Sequence, residues 1–475
     1  MPVFDHPIGF VATIRESKWF LFALFVMSSI LFLVASLAWP VQHGSTLGAF
    51  LDYYYNLDRS LRTIGSSMII GGLLESGYAA VNAFIYLGYI AYLFSSFYIA
   101  RLFGVTFARI VAVLIVLHVQ SMVFFHFFGS DMLSCIATAL WAALMVRFHA
   151  NETWTAPILM GLATFSLALI RPGSLLFVLF AIYPLFCRSW SLRNLGQSLA
   201  FVLAFVVGFV SYAGFNYINY GFFGMIHSTD QGNTKAMFPG MSLFLNNPIY
   251  ERSNGPYSEE LFALVETKLI GNAERCPICI KKNLTVDSFF KSQLEGNWIA
   301  LLAVEEEFSP GLIRKAAIET IVKHPAKYFI KSILFPAFHL SNMAIEIYLP
   351  LEGSGTHKKS TTNNTPSKAA AMIDYMDSQP GNYQLAFLLK YSLFNLLPPM
   401  MYFMLASLLI VFNSQKEYRL LLVLLLPAFA VFFLHIHMSL FSRLRLPYDF
   451  LFIIGGLAGL VGNRFPKEWF FPRRD

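Results

Sequence analysis

Apolar residues run along this chain in long unbroken blocks, at 19–38, 79–100, 105–125, 131–147, 156–171, 173–187, 195–215, 387–412, 419–436 and 447–462. A continuous run of that length buries a helix on all sides or carries it across a bilayer, whereas the strands of a membrane β-barrel alternate apolar and polar positions. The blocks therefore predict membrane-crossing helices. An eleventh block, 328–348, reads YFIKSILFPAFHLSNMAIEIY and carries Lys331, Pro336, His339 and Glu346. That pattern suits a helix lying in the interface better than one crossing it. The first block lacks a short apolar core followed by a small-residue cleavage site, so it reads as a retained span. The chain is 56% hydrophobic and only 13% charged, against about a quarter charged in soluble domains. The expected fold class is all-α: a polytopic transmembrane helical bundle of about 10–11 spans, with an outer-face loop domain containing amphipathic helices.

Charge then sets direction. Arg15, Lys18, Arg101, Arg109, Arg147, Arg188, Arg193, Lys416, Arg419, Arg464, Lys467, Arg473 and Arg474 fall on one side of this arrangement. By the positive-inside rule that side is the cytoplasm, and both termini lie there. The opposite side receives Arg59, Arg62, Arg171, Arg443 and Arg445, which run against the rule and so need another reason to be there. It also receives a long insert. The domains expected are an N-terminal transmembrane module at 1–215, an extracytoplasmic region with interfacial helices at 216–385, and a C-terminal transmembrane module at 386–475. Within the insert, YSEELFALVETKL and GLIRKAAIETIVKHPAKYFI space their apolar residues as amphipathic helices do. The stretch EGSGTHKKSTTNNTPSKAAA is polar enough to stay mobile until something binds it. No internal repeat of the kind that builds two-fold transporters is visible.

The net charge of +7 belongs to short loops and does not point to nucleic acid. Cys135 and Cys187 lie in or beside apolar segments as small hydrophobes. Cys276 and Cys279, in CPIC, read as a local disulfide if their loop faces an oxidising compartment. A thioredoxin-like pattern and the two further ligands of a zinc site are both missing. There is no P-loop, no HExxH, no GxSxG and no GxGxxG between strand and helix. Three sequons, at Asn151, Asn283 and Asn363, are matches of the kind chance produces.

Four places carry charge where chemistry is conceivable. The first outer loop, WPVQHGSTLGAFLDYYYNLDRSLRTIGSS, sets Asp52 and Asp58 beside Arg59 and Arg62. A carboxylate there can serve as a general base, or be no more than a solvated loop charge. HFFGSDMLSC puts Asp131 at the outer start of a span, as a helix cap or as a second acidic site residue, with His126 just before it. Arg171, in LALIRPGSLLF, stands at the edge of apolar sequence, where an unpaired charge costs about 2.5–3.5 kcal/mol. It needs a partner or water, or it snorkels to headgroups. Arg443 and Arg445 alternate in a short turn after His435 and His437; their guanidinium forks suit a lipid-linked phosphate or, less specifically, any headgroup.

In order along the chain, LDYYYNLDRS, GSDML, LIRPGSLLF, IVKHPAKYF and SRLRLPYDFLFIIGGLAGL resemble the GT-C membrane glycosyltransferases, in particular the bacterial branch of protein mannosyltransferases and lipid A aminoarabinose transferases. The likeness runs over nearly the whole chain through short motifs. It implies an enzyme of the bacterial inner membrane that faces outward. Such an enzyme takes a sugar from a polyprenyl-phosphate donor to a lipid, glycan or protein acceptor, with inversion at the anomeric carbon. Asp52 would be the base with Asp58 in reserve, and Asp131 a second acidic residue. Arg443, Arg445 and Arg171 would hold the donor phosphate, with Arg59, Arg62 and His437 as further substrate-binding residues. Several relatives carry adjacent Asp-Glu in the first outer loop, and this chain does not. That leaves the identity of the base open, and with it the use of a divalent metal cofactor. The rivals are a transporter or flippase of lipid-linked saccharides and a non-catalytic envelope subunit.

Overall fold

In a computed structural model of the chain, the described residues are 10–43, 47–56, 64–150, 153–188, 190–225, 243–244, 249–292, 295–328, 367–379, 381–382, 384–385, 420–421, 424–425 and 448–462. They are helical almost throughout, as the apolar blocks require, and fall into two compact units. Asp58, Arg59, Arg62, His435, His437, Arg443 and Arg445, the block 387–412, most of 419–436, and 328–348 beyond Tyr328 lie outside the described residues.

The first unit is the membrane part. Its helices are α1 (Phe10–Ala38), α2 (Leu47–Asn56), α3 (Ile64–Ser76), α4 (Tyr78–Ala100), α5 (Val105–Leu117), α6 (Val119–Phe125), α7 (Ser130–Ala150), α8 (Thr155–Ile170) and α9 (Leu192–Tyr220). Among the described residues, four segments are long and apolar enough to cross a membrane: Lys18–Ala38, Tyr78–Phe103, Ser130–His149 and Leu192–Tyr220. Their outer surfaces confirm which solvent they meet. Trp19, Ile30, Leu33 and Leu37 on α1, and Leu195, Leu199, Leu203 and Val207 on α9, are all exposed. Rows of exposed aliphatics on one face are tolerable only against lipid. The chain is thus an all-α polytopic membrane protein.

Local chemistry ends these helices where the sequence allows. Ser191 caps α9 by accepting the backbone N–H of Asn194 at 3.2 Å, and Gly221 closes it in the left-handed conformation at φ 75°. Packing between spans relies on small residues. Helices α8 and α9 run parallel, with Gly161 against Phe201 and Ala204, and Gly208 against the Phe165 ring. A Cβ on Gly161 would lie 2.3 Å from the Phe201 carbonyl oxygen, which as backbone cannot swing away. Gly161→Ala is therefore expected to wedge the two helices apart and destabilise the unit by about 1–3 kcal/mol, read as a lower thermal unfolding midpoint in detergent.

Three details depart from the sequence reading. The block 105–125 is two helices, because His118 adopts φ −79°, ψ 74° and breaks the run between α5 and α6. The first outer loop contains α2 and the apolar α3, whose Gly71 lets the Tyr54 ring lie directly on it. The polar stretch after 352 ends in a helix, α15 (Ser367–Ser378), that packs on α3, with Tyr375 edge-on to Tyr78 at 5.0 Å. The break expected at 171–173 is present: α8 stops at Arg171, and the chain continues as a tighter 3₁₀ helix, Pro172–Ile182. A last helix, α16 (Asp449–Gly462), packs on α5 and α4.

The second unit, described over 243–328, is built from α10 (Pro256–Lys268), α11 (Pro277–Lys281), α12 (Val286–Lys291), α13 (Glu295–Phe308) and α14 (Leu312–Lys323). The amphipathic patterns at 257–269 and 311–330 correspond to α10 and α14. Phe244, Leu261, Phe262, Phe289, Phe290 and Trp298 form its core, with Phe262 stacked on Phe290 at 4.3 Å. Cys276 and Cys279 are joined in a disulfide buried against that core. Closing so short a loop restricts the unfolded chain and ties down the turn before α11.

Candidate functional site

The first unit brings Asp131, Arg171 and the helix that carries Asp52 to one end. Helices α1 and α4 run antiparallel, as the contacts Phe20–Phe97 and Phe32–Tyr86 show. So do α7 and α8, joined at mid-length by the indole N–H of Trp141 donating to Thr164 Oγ1 at 3.0 Å. The end of α1, the start of α7, the end of α8 and the end of α9 consequently lie together. Gln42 and His43, just after α1, pair in parallel with Phe127 and Phe128, just before α7. This two-residue ladder ties the first outer loop to the segment that introduces Asp131.

At that end Arg171 meets Asp131, Nη1 to Oδ1 at 2.9 Å, with the two side chains 21% and 24% exposed. The geometry follows from the hairpin. Asp131 occupies the first turn of α7, where a carboxylate is favoured by the helix dipole. Arg171 is the residue that terminates α8, extended at φ −144°, ψ 117°, so its side chain leaves the helix toward the neighbouring start. The charge that needed a partner has one, and about a fifth of the Arg171 side chain remains exposed.

Asp52 lies on α2, at this same end; its side chain is outside the described residues. The helix that carries it is anchored on both flanks. The Tyr53 hydroxyl lies 3.5 Å from that of Tyr212 on α9, and Tyr54 donates to Glu75 Oε2 of α3 at 3.0 Å. Burial, and then the Tyr212 hydroxyl, push the Tyr53 phenol above its ordinary range, so it stays a neutral anchor. His126 is 1% exposed, its Nε2 2.9 Å from Ser36 Oγ and its Nδ1 3.1 Å from the Met122 carbonyl, with Phe32 stacked at 4.7 Å. It fastens α1 to the ladder and does not line an open site.

A second pair lies deeper and was not singled out from the sequence. His118, at the break between α5 and α6, places Nδ1 2.7 Å from Ser121 Oγ and Nε2 4.0 Å from Asp449 Oδ2. Asp449 is wholly buried, in the first turn of α16. Tyr92 packs beside it, edge-on to Phe450 at 5.4 Å. Cys135, one turn after Asp131 on α7, is buried. The signal that would have found this pair is simple: a histidine and an aspartate inside otherwise apolar blocks. Ionisable residues at such depth are costly and mark function more often than packing.

Fold and site together define a polytopic helical membrane protein in which Asp131 and Arg171 pair at one end of the bundle. A comparison with solved structures finds the crystal structure of ArnT from Cupriavidus metallidurans bound to undecaprenyl phosphate, at 12% identity over 94% of this chain and 78% of that one, with a TM-score of 0.34. No protein-family model matches the chain, and a comparison with curated proteins gives no match.

Proposed function

We propose that this chain is a membrane glycosyltransferase of the GT-C kind, moving a sugar from a polyprenyl-phosphate donor to an envelope acceptor at the outer face of a bacterial inner membrane. The single observation that carries the reading is the Asp131–Arg171 pair, a partly exposed guanidinium held at the bundle end that also receives the first outer loop. Asp52 removes the proton from the acceptor hydroxyl or amine. The acceptor atom then attacks the anomeric carbon from the face opposite the phosphate, and the bond from that carbon to the phosphate oxygen breaks. The polyprenyl phosphate leaves with the electron pair and an added negative charge, and configuration inverts. Arg171, oriented by Asp131, and the pair Arg443 and Arg445 stabilise that charge where it develops. Arg59, Arg62 and His437 complete the donor and acceptor contacts. Tyr448, close behind Arg445 in the chain, stacks on Phe177 of the 3₁₀ segment that follows Arg171, which supports placing the two basic sites together.

The test is a transfer assay with the purified chain in liposomes, given polyprenyl-phosphate donors with labelled sugars and an envelope extract as acceptor. The expected result is label in a new glycosidic bond, with polyprenyl phosphate released in equal amount. Labelled lipid that crosses the bilayer with its sugar still attached would instead identify a transporter.

A further inference from the structure

The second unit shows one face that its own packing leaves unexplained. Helix α14 turns Leu312, Ile313, Ala316, Ala317 and Thr320 inward, each at most 3% exposed. Its opposite face carries Arg314, Lys315, Ile318 and Val322, all exposed, and Lys323 in the last turn and Lys327 on the short helical continuation are exposed at its end. Ile318 and Val322 are 49% and 73% exposed, so two aliphatic side chains stand between cations with no core to fill. The segment 311–328 holds one acid, Glu319. Glu319 is turned away: it accepts from the backbone N–H groups of Tyr257 and Ser258 at 3.1 and 2.7 Å, and from the Ser258 hydroxyl at 3.0 Å, closing the start of α10. The exposed face is therefore cationic and apolar, with no carboxylate of its own segment to neutralise it.

We propose that this face of α14 docks on the anionic headgroup surface of the membrane. Basic side chains interleaved with aliphatic ones on one face of a helix bind an interface in two ways: the cations meet lipid phosphates, and the aliphatic groups enter the acyl boundary. Chain continuity favours lipid over a protein partner. Tyr328 packs on the unit's core, and from there the sequence runs directly into FIKSILFPAFHLSNMAIEIY, the block with interfacial character. The docking does not depend on the transfer chemistry.

The experiment uses the full chain in nanodiscs, with Val322→Cys labelled by an environment-sensitive fluorophore. The substitution is made together with Cys187→Ser; Cys135 is buried and Cys276 and Cys279 are bonded to each other, so the label goes to position 322. In discs containing phosphatidylglycerol, the label is expected to shift to the blue and to be quenched by nitroxide-bearing lipid. Both signals should weaken in phosphatidylcholine alone, on addition of salt, and in the variant Lys315→Glu/Lys323→Glu/Lys327→Glu. The salt arm needs no substitution in the cationic face, so it stands if the triple variant folds poorly. A label that stays accessible to iodide in anionic discs overturns the proposal. So does one shielded from iodide but untouched by nitroxide lipid, which would mean that protein covers the face.

Discussion

Replacing Asp52 with asparagine is expected to abolish sugar transfer while leaving insertion, folding and donor binding intact. The amide keeps the shape of the carboxyl group and removes its basicity, and a positioned general base contributes about 10²–10⁴-fold. The loss should fall on kcat, because Tyr53 and Tyr54 anchor α2 on its own flanks. Asp58→Asn is the comparison. If Asp52→Asn transfers normally and Asp58→Asn does not, the base is the second acid of the loop and the reading of the site survives. If neither change matters, a base in the first outer loop is excluded.

The second large effect concerns the ion pair. Arg171→Met should lower kcat by about 10²–10³, the range for removing one donor aimed at developing charge, and should raise the KM for the donor. Asp131→Ala should act differently. It leaves the guanidinium without its carboxylate at the edge of apolar sequence, where an unpaired charge costs about 2.5–3.5 kcal/mol. Because a fifth of the side chain is exposed, the cost should sit at the low end of that range. The double variant Asp131→Ala/Arg171→Met removes both charges. It should recover the thermal stability that Asp131→Ala loses and should recover no activity. A stable, active Arg171→Met variant would remove Arg171 from the donor site; a double variant no more stable than Asp131→Ala would show that the pair does not hold the hairpin.

Much of the membrane unit was legible because the bilayer writes a strong pattern. α4 and α7 match blocks of apolar residues closely, α9 overruns its block at both ends, α1 ends with its block but begins well ahead of it, and the stop at Arg171 follows from Pro172 and Gly173. Arg171 was also legible as a charge in need of a partner. That the partner is Asp131 was not, since the pairing comes from α7 and α8 lying antiparallel, a fact of packing. The elements that escaped are those in which the pattern is weak or misleading. α3 is only 13 residues and rich in glycine and serine, so it reads as loop beside the longer blocks. The break at His118 hides inside a run that stays apolar on both sides. Asp449 was passed over because its block is among the most apolar in the chain, which is the very reason a wholly buried carboxylate there stands out. In the second unit, helical spacing alone located α10 and α14.

The length of α8 has a further consequence for the lipid around it. Its 16 residues rise about 24 Å, against a hydrocarbon layer of about 30 Å. Ile158, Leu159 and Leu162 present its outer side to acyl chains. α9 beside it has 29 residues, long enough to span with room for tilt. α8 is too short for that, and hydrophobic mismatch should pinch the leaflets there into a shallow dimple. A phosphate riding on a long prenyl tail would sink with the headgroups of that dimple, toward the depth at which α8 ends and Arg171 begins.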